Sequence, residues 1–281
     1  MADKPSYATG YQNEQVSLVR ATCLYVATRL GDLMDDLAIV GGLVPSLIIN
    51  QENIPDGGSA HVGTMDLDVG LTVALLSEGR YRTLSEALRS AGFEPDLNEQ
   101  GNLTRQRWRM KGVQSVTIDF LISPSLPDDK ERRIRNIEPD FAAFITPGLH
   151  LAFRDREKIE LSGKTILGEQ AKRSIWVCGP GAYVVLKALA FEGRGENKDA
   201  YDLFYLLQNY GSGVEDIVKH LQILRDDEIT IQALKILQRD FLEHDAIGPR
   251  RVANFLTGGP DDAIQADVVG LVAKLLQLFP L

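Results

Sequence analysis

Cysteine is scarce: the 281 residues hold two, Cys23 and Cys178, both in apolar surroundings. Such thiols read as buried and free rather than as a disulfide framework, and no Cys/His pair has zinc-ligand spacing. No apolar run is long enough to cross a bilayer. The first residues, MADKPSYATGYQNEQ, lack the apolar stretch of a secretory leader. These absences predict a cytoplasmic protein with no membrane contact. A basic excess is missing too, because 30 Lys and Arg face 39 Asp and Glu, for a formal net charge of -9. That argues against strong non-specific nucleic-acid binding, while leaving room for a local basic patch. No internal repeat is visible. The remainder, 44% hydrophobic and 25% charged, is ordinary globular composition, in a chain long enough for two domains or one large one.

The chain is organised around residues 39–71, IVGGLVPSLIINQENIPDGGSAHVGTMDLDVGL. Residues 1–10 read as disordered. Val16, Val19, Cys23, Val26, Leu30, Leu33 and Leu37 recur at three and four, which predicts an amphipathic helix over about 12–36, with Gly31 tolerated inside it. Leu37 to Val40 reads as a strand entering a tight turn at Gly41-Gly42. Val44 to Asn50 reads as a helix with Pro45 in its first turn, and 51–64 as loop. A strand is expected over 66–71, a helical segment from Thr72 through Leu76, and a clearer helix over 81–91 closed by Gly92. Strands follow at 102–111 and 113–123, then a charged loop at 124–135. Peripheral strands are expected at 149–159 and 164–167, with a short one at 174–177. After Gly179-Pro180-Gly181 the pattern turns helical, with helices at 182–192 and 198–210 and helical periodicity to the end. The expected organisation is α+β: a small mixed sheet flanked by helices (residues 1–178), followed by a helical half (179–281).

Asp66 and Asp68 lie two apart on the predicted strand, so they project to the same side, while Leu67 and Val69 face the core. Paired carboxylates repel unless a cation lies between them, which asks for a divalent metal, most naturally magnesium, of the kind that handles phosphates. Asp119 repeats the pattern: Val116, Ile118, Phe120 and Ile122 line one face of its strand, and Thr117, Asp119 and Leu121 the other. If the two strands are neighbours, three carboxylates converge. Two Mg2+ ions roughly 3.5–4 Å apart could then clamp an in-line phosphoryl displacement. One ion, on all three Asp, would activate an acceptor hydroxyl. The other, on Asp66 and Asp68, would arrive with the nucleotide phosphates and stabilise leaving pyrophosphate. Gly41 and Gly42 would let the backbone approach a triphosphate near the start of the next helix. Alone, a Gly-Gly is an ordinary turn and a D-x-D a solvated edge. Their order along the chain is the more specific signal.

That order, Gly41-Gly42, Asp66-x-Asp68, Asp119, resembles the nucleotidyltransferase superfamily of DNA polymerase beta type. Leu186-Lys187-Ala188, Arg194 and Lys198-Asp199-Ala200-Tyr201-Asp202-Leu203 look like the helical motif of abortive-infection nucleotidyltransferases, the AbiEii-type toxins. The resemblance covers roughly 38–210. It implies a nucleotidyltransferase sheet and a helical domain completing the nucleotide site. The implied activity moves a nucleoside monophosphate from a nucleoside triphosphate (NTP) to a hydroxyl acceptor, with Mg2+ as cofactor. It also implies that Lys187 contacts phosphates and Asp202 is the functional acid of the second block. The implied partners are the NTP, a tRNA or other RNA end, and a cognate antitoxin protein. Leu43 stands where family members often carry Ser or Thr, and the nearest hydroxyl is Ser46.

Other readings run beside these. Lys187, after an apolar run, also reads as a snorkelling surface lysine. Lys198, Asp199 and Asp202 also read as a solvated helix start. Arg105, Arg107 and Arg109 form either a solvent-facing row or a positive strip facing substrate. Trp108 reads as core, and His61 as a solvated loop residue. The competing functions are a catalytically idle nucleotide-binding regulator, an antibiotic-modifying nucleotidyltransferase, and a metal-dependent hydrolase, for which His61 would be the only base.

Overall fold

The alternation at Leu67, Val69 and Leu71, and again at Ile118, Phe120 and Ile122, buries all six side chains completely. That places their strands at the centre of a sheet rather than at its rim. The computed structural model describes residues 5–50, 54, 59–72, 80–98, 100–113, 116–131 and 133–280. It is a mixed α+β chain with 50% of residues helical and 22% in strands. The elements are α1 (Asn13–Leu30), β1 (Leu37–Val40), α2 (Val44–Ile48), β2 (Asp66–Leu71), α3 (Arg80–Ser90), β3 (Phe93–Leu97), β4 (Leu103–Met110) and β5 (Thr117–Ile122). There follow β6 (Ile134–Glu138), β7 (Phe141–Ile145), α4 (Leu151–Arg154), β8 (Arg156–Lys164) and β9 (Gln170–Cys178). The C-terminal elements are α5 (Pro180–Arg194), α6 (Asn197–Asn209), α7 (Val214–Gln222), α8 (Glu228–Phe241), α9 (Ile247–Thr257) and α10 (Asp262–Leu278).

The chain forms two compact units. The first holds the described residues of Asn13–Val44 and Gly63–Cys178; the second holds those of Lys4–Gln12, Pro45–Val62 and Gly179–Leu281. The first 178 residues are therefore not one contiguous body. Two of their segments cluster with the C-terminal helices.

In the first unit the strands run in the order β3-β4-β5-β2-β1-β9-β8, with β7 against β5 and β6 against β7. The centre is mixed: β2 is parallel to β5 and antiparallel to β1, and β1 is parallel to β9. On the edge away from β2, β5 meets β4 at Asp119 and Ile118 and β7 at Leu121 and Ile122. Trp108 of β4 is fully buried, and the rings of Phe120 and Phe141 stand 4.9 Å apart beside it. The second unit is built on α5 to α10. Phe191 on α5 meets Phe241 on α8 at 4.9 Å, and Tyr201 on α6 meets Phe255 on α9 at 4.8 Å. α5 begins with Pro180 in its first turn and stops at Gly195, whose φ of 65° is the left-handed cap that glycine adopts without strain.

Several boundaries differ from the sequence expectation. α1 stops at Leu30 because Gly31 takes a φ of 54°, and a 3-10 turn carries the apolar spacing on to Asp36. Residues 5–10 are ordered locally around a short 3-10 turn at Ala8–Gly10, and the Tyr11 ring lies tilted against Phe255 at 5.9 Å. Residues 151–154 are a helical turn rather than strand, 165–168 form the turn between β8 and β9, and the expected strand at 174–177 is the C-terminal part of the longer β9. β3 and β7 had no sequence counterpart, and β6 begins in the expected charged loop. The helical segment expected through Leu76 lies outside the described residues, as do Asp56, Gly57 and Gly58 of the expected loop. Among the described residues, no helix is long and apolar enough to cross a membrane.

Cys23 and Cys178 are fully buried and unbridged. Burial pushes the Cys23 thiol up to about 12, and that of Cys178 well above its ordinary value. A thiolate-specific reagent such as DTNB should therefore label neither in the native protein and both after unfolding in urea. Rapid native labelling would contradict this core.

Candidate metal centre

The register of the central strands decides where the carboxylates fall. β2 and β5 are parallel with Asp68 opposite Asp119 and Asp66 opposite Thr117. Because side chains alternate, Asp66, Asp68 and Asp119 all leave the sheet on one face. One carboxylate oxygen from each lies within 4.8 Å of the other two, with Asp66 and Asp119 buried and Asp68 half-buried. The sheet brings the three expected ligands together. Like charges directly opposite on neighbouring strands repel, so this face needs positive charge.

One cation comes from the next strand. β4 runs antiparallel to β5 with Arg107 opposite Asp119. The Arg107 Nε and Nη2 groups donate to Oδ1 and Oδ2 of Asp119, both at 2.6 Å. This hydrogen-bonded fork, with Asp66 and Asp68 nearby, holds the guanidinium above its already high ordinary pKa. Arg107 offsets one of the three carboxylate charges. The donor set is all hard oxygen, which suits Mg2+ or Mn2+ rather than a thiolate-preferring metal. Thr64 orients Asp66 by donating its hydroxyl to Oδ1 at 2.9 Å.

The glycine turn abuts the same group. Val40 pairs with Asp68, and Gly41 follows with φ 71°. A Cβ on Gly41 would lie 2.7 Å from Cγ of Asp68 and overlap its Oδ2. Gly42 is buried in the 3-10 turn Gly41–Leu43, and Leu43 is fully buried in the core. Ser46 is half-buried on α2, in the segment that clusters with the second unit. Of the arginine strip, Arg107 alone joins the acids; Arg105 is exposed, and Arg109 is exposed beside Asp96 at 3.6 Å.

Lys187 and Asp202 occupy a separate cluster inside the second unit. Lys187 is buried, and its Nζ donates to Oδ1 of Asp199 at 3.0 Å and Oδ2 of Asp202 at 2.5 Å. Arg194 grips Asp199 with two bonds, at 2.9 and 2.7 Å, and Lys198 donates to Asp202 Oδ1 at 2.7 Å. Burial opposes charge on Lys187, but Asp202 and Asp199 outweigh it and hold the ammonium above its ordinary value. Burial likewise opposes charge on Asp202, yet Lys187 and Lys198 hold it well below the usual carboxylate range. Neither a snorkelling surface lysine nor a solvated helix start describes these groups.

His61 is the residue the sequence reading missed. It is buried rather than solvated, stacked on Tyr201 at 5.4 Å and edge-on to Tyr205 at 4.9 Å. An ionised Asp202 can only accept, so His61 carries its proton on Nε2 and donates to Oδ1 at 2.9 Å. The Val62 amide donates to the Tyr201 hydroxyl at 3.2 Å. Burial pulls the His61 pKa down to about 4 against the Asp202 bond, so the ring stays neutral. No local pattern announces a partner 141 residues away. Arg107 had a signal: positions 107 and 119 are equidistant from Val113, the turn that Gly112 opens.

The chain matches no protein-family model, and no curated protein matches it significantly.

Two outcomes follow from these contacts. Gly41→Ala forces a left-handed φ costing roughly 1–2 kcal/mol and displaces the Asp68 carboxylate, so it should lower the urea midpoint and weaken Mn2+ binding together. A normal midpoint with normal binding would remove Gly41 from the site. The unfolded chain protonates His61 near 6.5 and the folded chain only near 4. The neutral ring's contribution is thus complete above pH 6.5 and lost as pH falls from 6.5 toward 4. The depressed carboxylates of Asp199 and Asp202 act only below about 3.8. Urea midpoints at pH 7.5, 6 and 5 should fall more steeply for wild type than for His61→Gln. Parallel curves would contradict a neutral buried imidazole.

Proposed function

We propose that the chain is a divalent-metal-dependent nucleotidyltransferase that transfers a nucleoside monophosphate from an NTP to a hydroxyl acceptor. The observation that carries this reading is the register of β2 against β5, which gathers Asp66, Asp68 and Asp119 on one face. The donor set, three hard carboxylate oxygens, fits Mg2+. Mg2+ there would supply a Lewis acid for phosphoryl oxygens and lower the pKa of a bound hydroxyl. Asp66 and Asp68 would hold the cation that accompanies the triphosphate, with Thr64 fixing the Asp66 rotamer. Asp119, one strand over, would complete the ligand set on the acceptor side. Gly41 keeps side-chain bulk away from Asp68.

The resemblance to AbiEii-type toxins supports an RNA-end acceptor and an antitoxin partner. The net charge of -9 weighs against RNA held by non-specific attraction, which leaves a protein hydroxyl or a small molecule as the other acceptor classes. Lys187 and Asp202 enter this reading through the resemblance alone, because their observed partners are each other, Asp199, Lys198 and His61. A second reading, an idle nucleotide-binding domain that regulates a partner, would lack or misplace one of the three Asp, and all three are gathered here.

The test is incubation with each labelled NTP, Mg2+ and total tRNA, with Asp68→Ala alongside. Transfer should fall by about 10²–10³-fold or more in the variant and vanish with EDTA. Equal transfer by Asp68→Ala would sink the metal assignment. Nucleotide binding without turnover would favour the idle domain, and phosphate release without transfer a hydrolase.

A further inference from the structure

We infer that β8 is a docking edge for a second copy of this chain, whose own β8 pairs with it antiparallel about Ile159. That pairing does not depend on the metal centre. The two ends of the sheet are built differently. β3, at one end, contains Pro95 and a register shift between Pro95 and Asp96, devices that keep an edge from pairing. β8, at the other end, pairs with β9 without interruption from Arg156 opposite Cys178 to Lys164 opposite Gln170. It holds no proline and no bulge, and among the described residues no strand lies on its outer side.

The outer edge follows residue by residue. The Thr165 amide donates to the Glu169 carbonyl at 2.8 Å. Because antiparallel bonding alternates, the odd-numbered residues of β8 direct their amides and carbonyls at β9. Those of Arg156, Lys158, Glu160, Ser162 and Lys164 point outward, and the last four residues are also exposed. An antiparallel copy must set these outward groups against one another, which leaves few registers. Centring on Lys158 or on Glu160 puts that charge against itself. Centring on Glu157 sets Lys158 against Arg156, and centring on Leu161 sets it against Lys164. Centring on Ile159 pairs Lys158 with Glu160 twice, Arg156 with Ser162 twice and the half-buried Ile159 with itself, with no like charges opposed. Centring on Ser162 or beyond avoids like charges only by shortening the pairing from 156–162 to 160–164 or less. A two-fold contact about Ile159 is self-complementary and closed. The Arg156 side chain is turned back onto its own sheet, with its guanidinium 4.1 Å from the Trp176 ring centroid on β9. Glu160 already meets Lys172 of β9 at 2.7 Å, so in the pair it stands between two cations.

Sedimentation velocity on the full chain over a range of concentrations reads this directly. One strand pair is a small interface, so wild type should pass from monomer to a weak dimer as concentration rises. Lys158→Glu sets acids opposite acids, and Glu160→Lys sets bases opposite bases. Each should weaken self-association about tenfold or more. Mixed in equal amounts, the two variants become complementary, so dimer should return in the wild-type concentration range. Lys164→Glu, which reverses a charge outside the paired segment, should associate like wild type. Circular dichroism checks each fold, and Lys158→Gln with Glu160→Gln replaces any reversal that unfolds, with a smaller loss expected. Wild type that stays monomeric at every concentration overturns the inference. So does a dimer that survives both reversals, or a mixture that fails to restore it. Loss of the dimer in Lys164→Glu but not in Lys158→Glu moves the centre to Ser162 and overturns the register about Ile159.

Discussion

Like-charge repulsion on one sheet face is the constraint to which the first unit answers. Once β2 and β5 pair in parallel with Asp68 opposite Asp119, three carboxylates share a space less than 5 Å across. Such a face is unfavourable without counter-charge. The surrounding choices follow from that. β4 supplies a guanidinium at the register position opposite Asp119, Thr64 supplies a neutral donor to Asp66, and the chain beside Asp68 gives up its Cβ at Gly41. The opposite face carries the cost of assembly, with Leu67, Val69, Ile118 and Phe120 all fully buried. Their burial holds the register that the acids alone would resist.

The second unit solves a related problem in another way. Asp199 and Asp202 lie three residues apart on α6, on one face, and both are buried. Here compensation is complete within the protein. Lys187 from α5 bridges the two acids, while Arg194 and Lys198 take the remaining oxygens. Three cations meet two carboxylates, and His61 adds a neutral donor instead of a further charge. Breaking such a set by removing one member leaves an uncompensated buried charge. The helical motif therefore fastens α5 to α6 and holds residues 61–62 on α6, whatever ligand it also meets. The acid cluster of the first unit gathers three oxygen donors within metal-binding reach of one another, whereas the acids of the second unit are bridged by lysines of the chain itself.

Much of the first site was legible because strand alternation is a short-range signal. Asp66, Asp68 and Asp119 each sit between apolar residues at period two, and that pattern places a charged side chain on the face opposite the core. The helices α5 and α6 were legible for the same reason at period 3.6. What stayed hidden depends on long-range pairing. β3 contains Pro95 and two acids, and as an edge strand it tolerates both. Among the described residues β6 pairs only with β7, and it shows little alternation. β7, Phe-Ala-Ala-Phe-Ile, is too short and too uniformly apolar for its period to be read. His61 looked solvated because its burial comes from Tyr201, Tyr205 and Asp202, far along the chain.

Gly41 shows how a correct signal can have a nearer cause than the one first attached to it. A glycine pair after a strand suggests backbone left bare for a phosphate. Here the bare backbone is already in use, because the Asp68 carboxyl group fills the space that a Cβ would occupy. Gly41 is required by the acid cluster whether or not a triphosphate ever approaches. The same shift applies to Arg107, which looked like one of three equivalent arginines and is instead set apart by register. Both residues are defined by the carboxylate beside them, Asp68 in one case and Asp119 in the other. The acid pair across β2 and β5 thus dictates its own surroundings: a missing side chain on one flank and a guanidinium on the other.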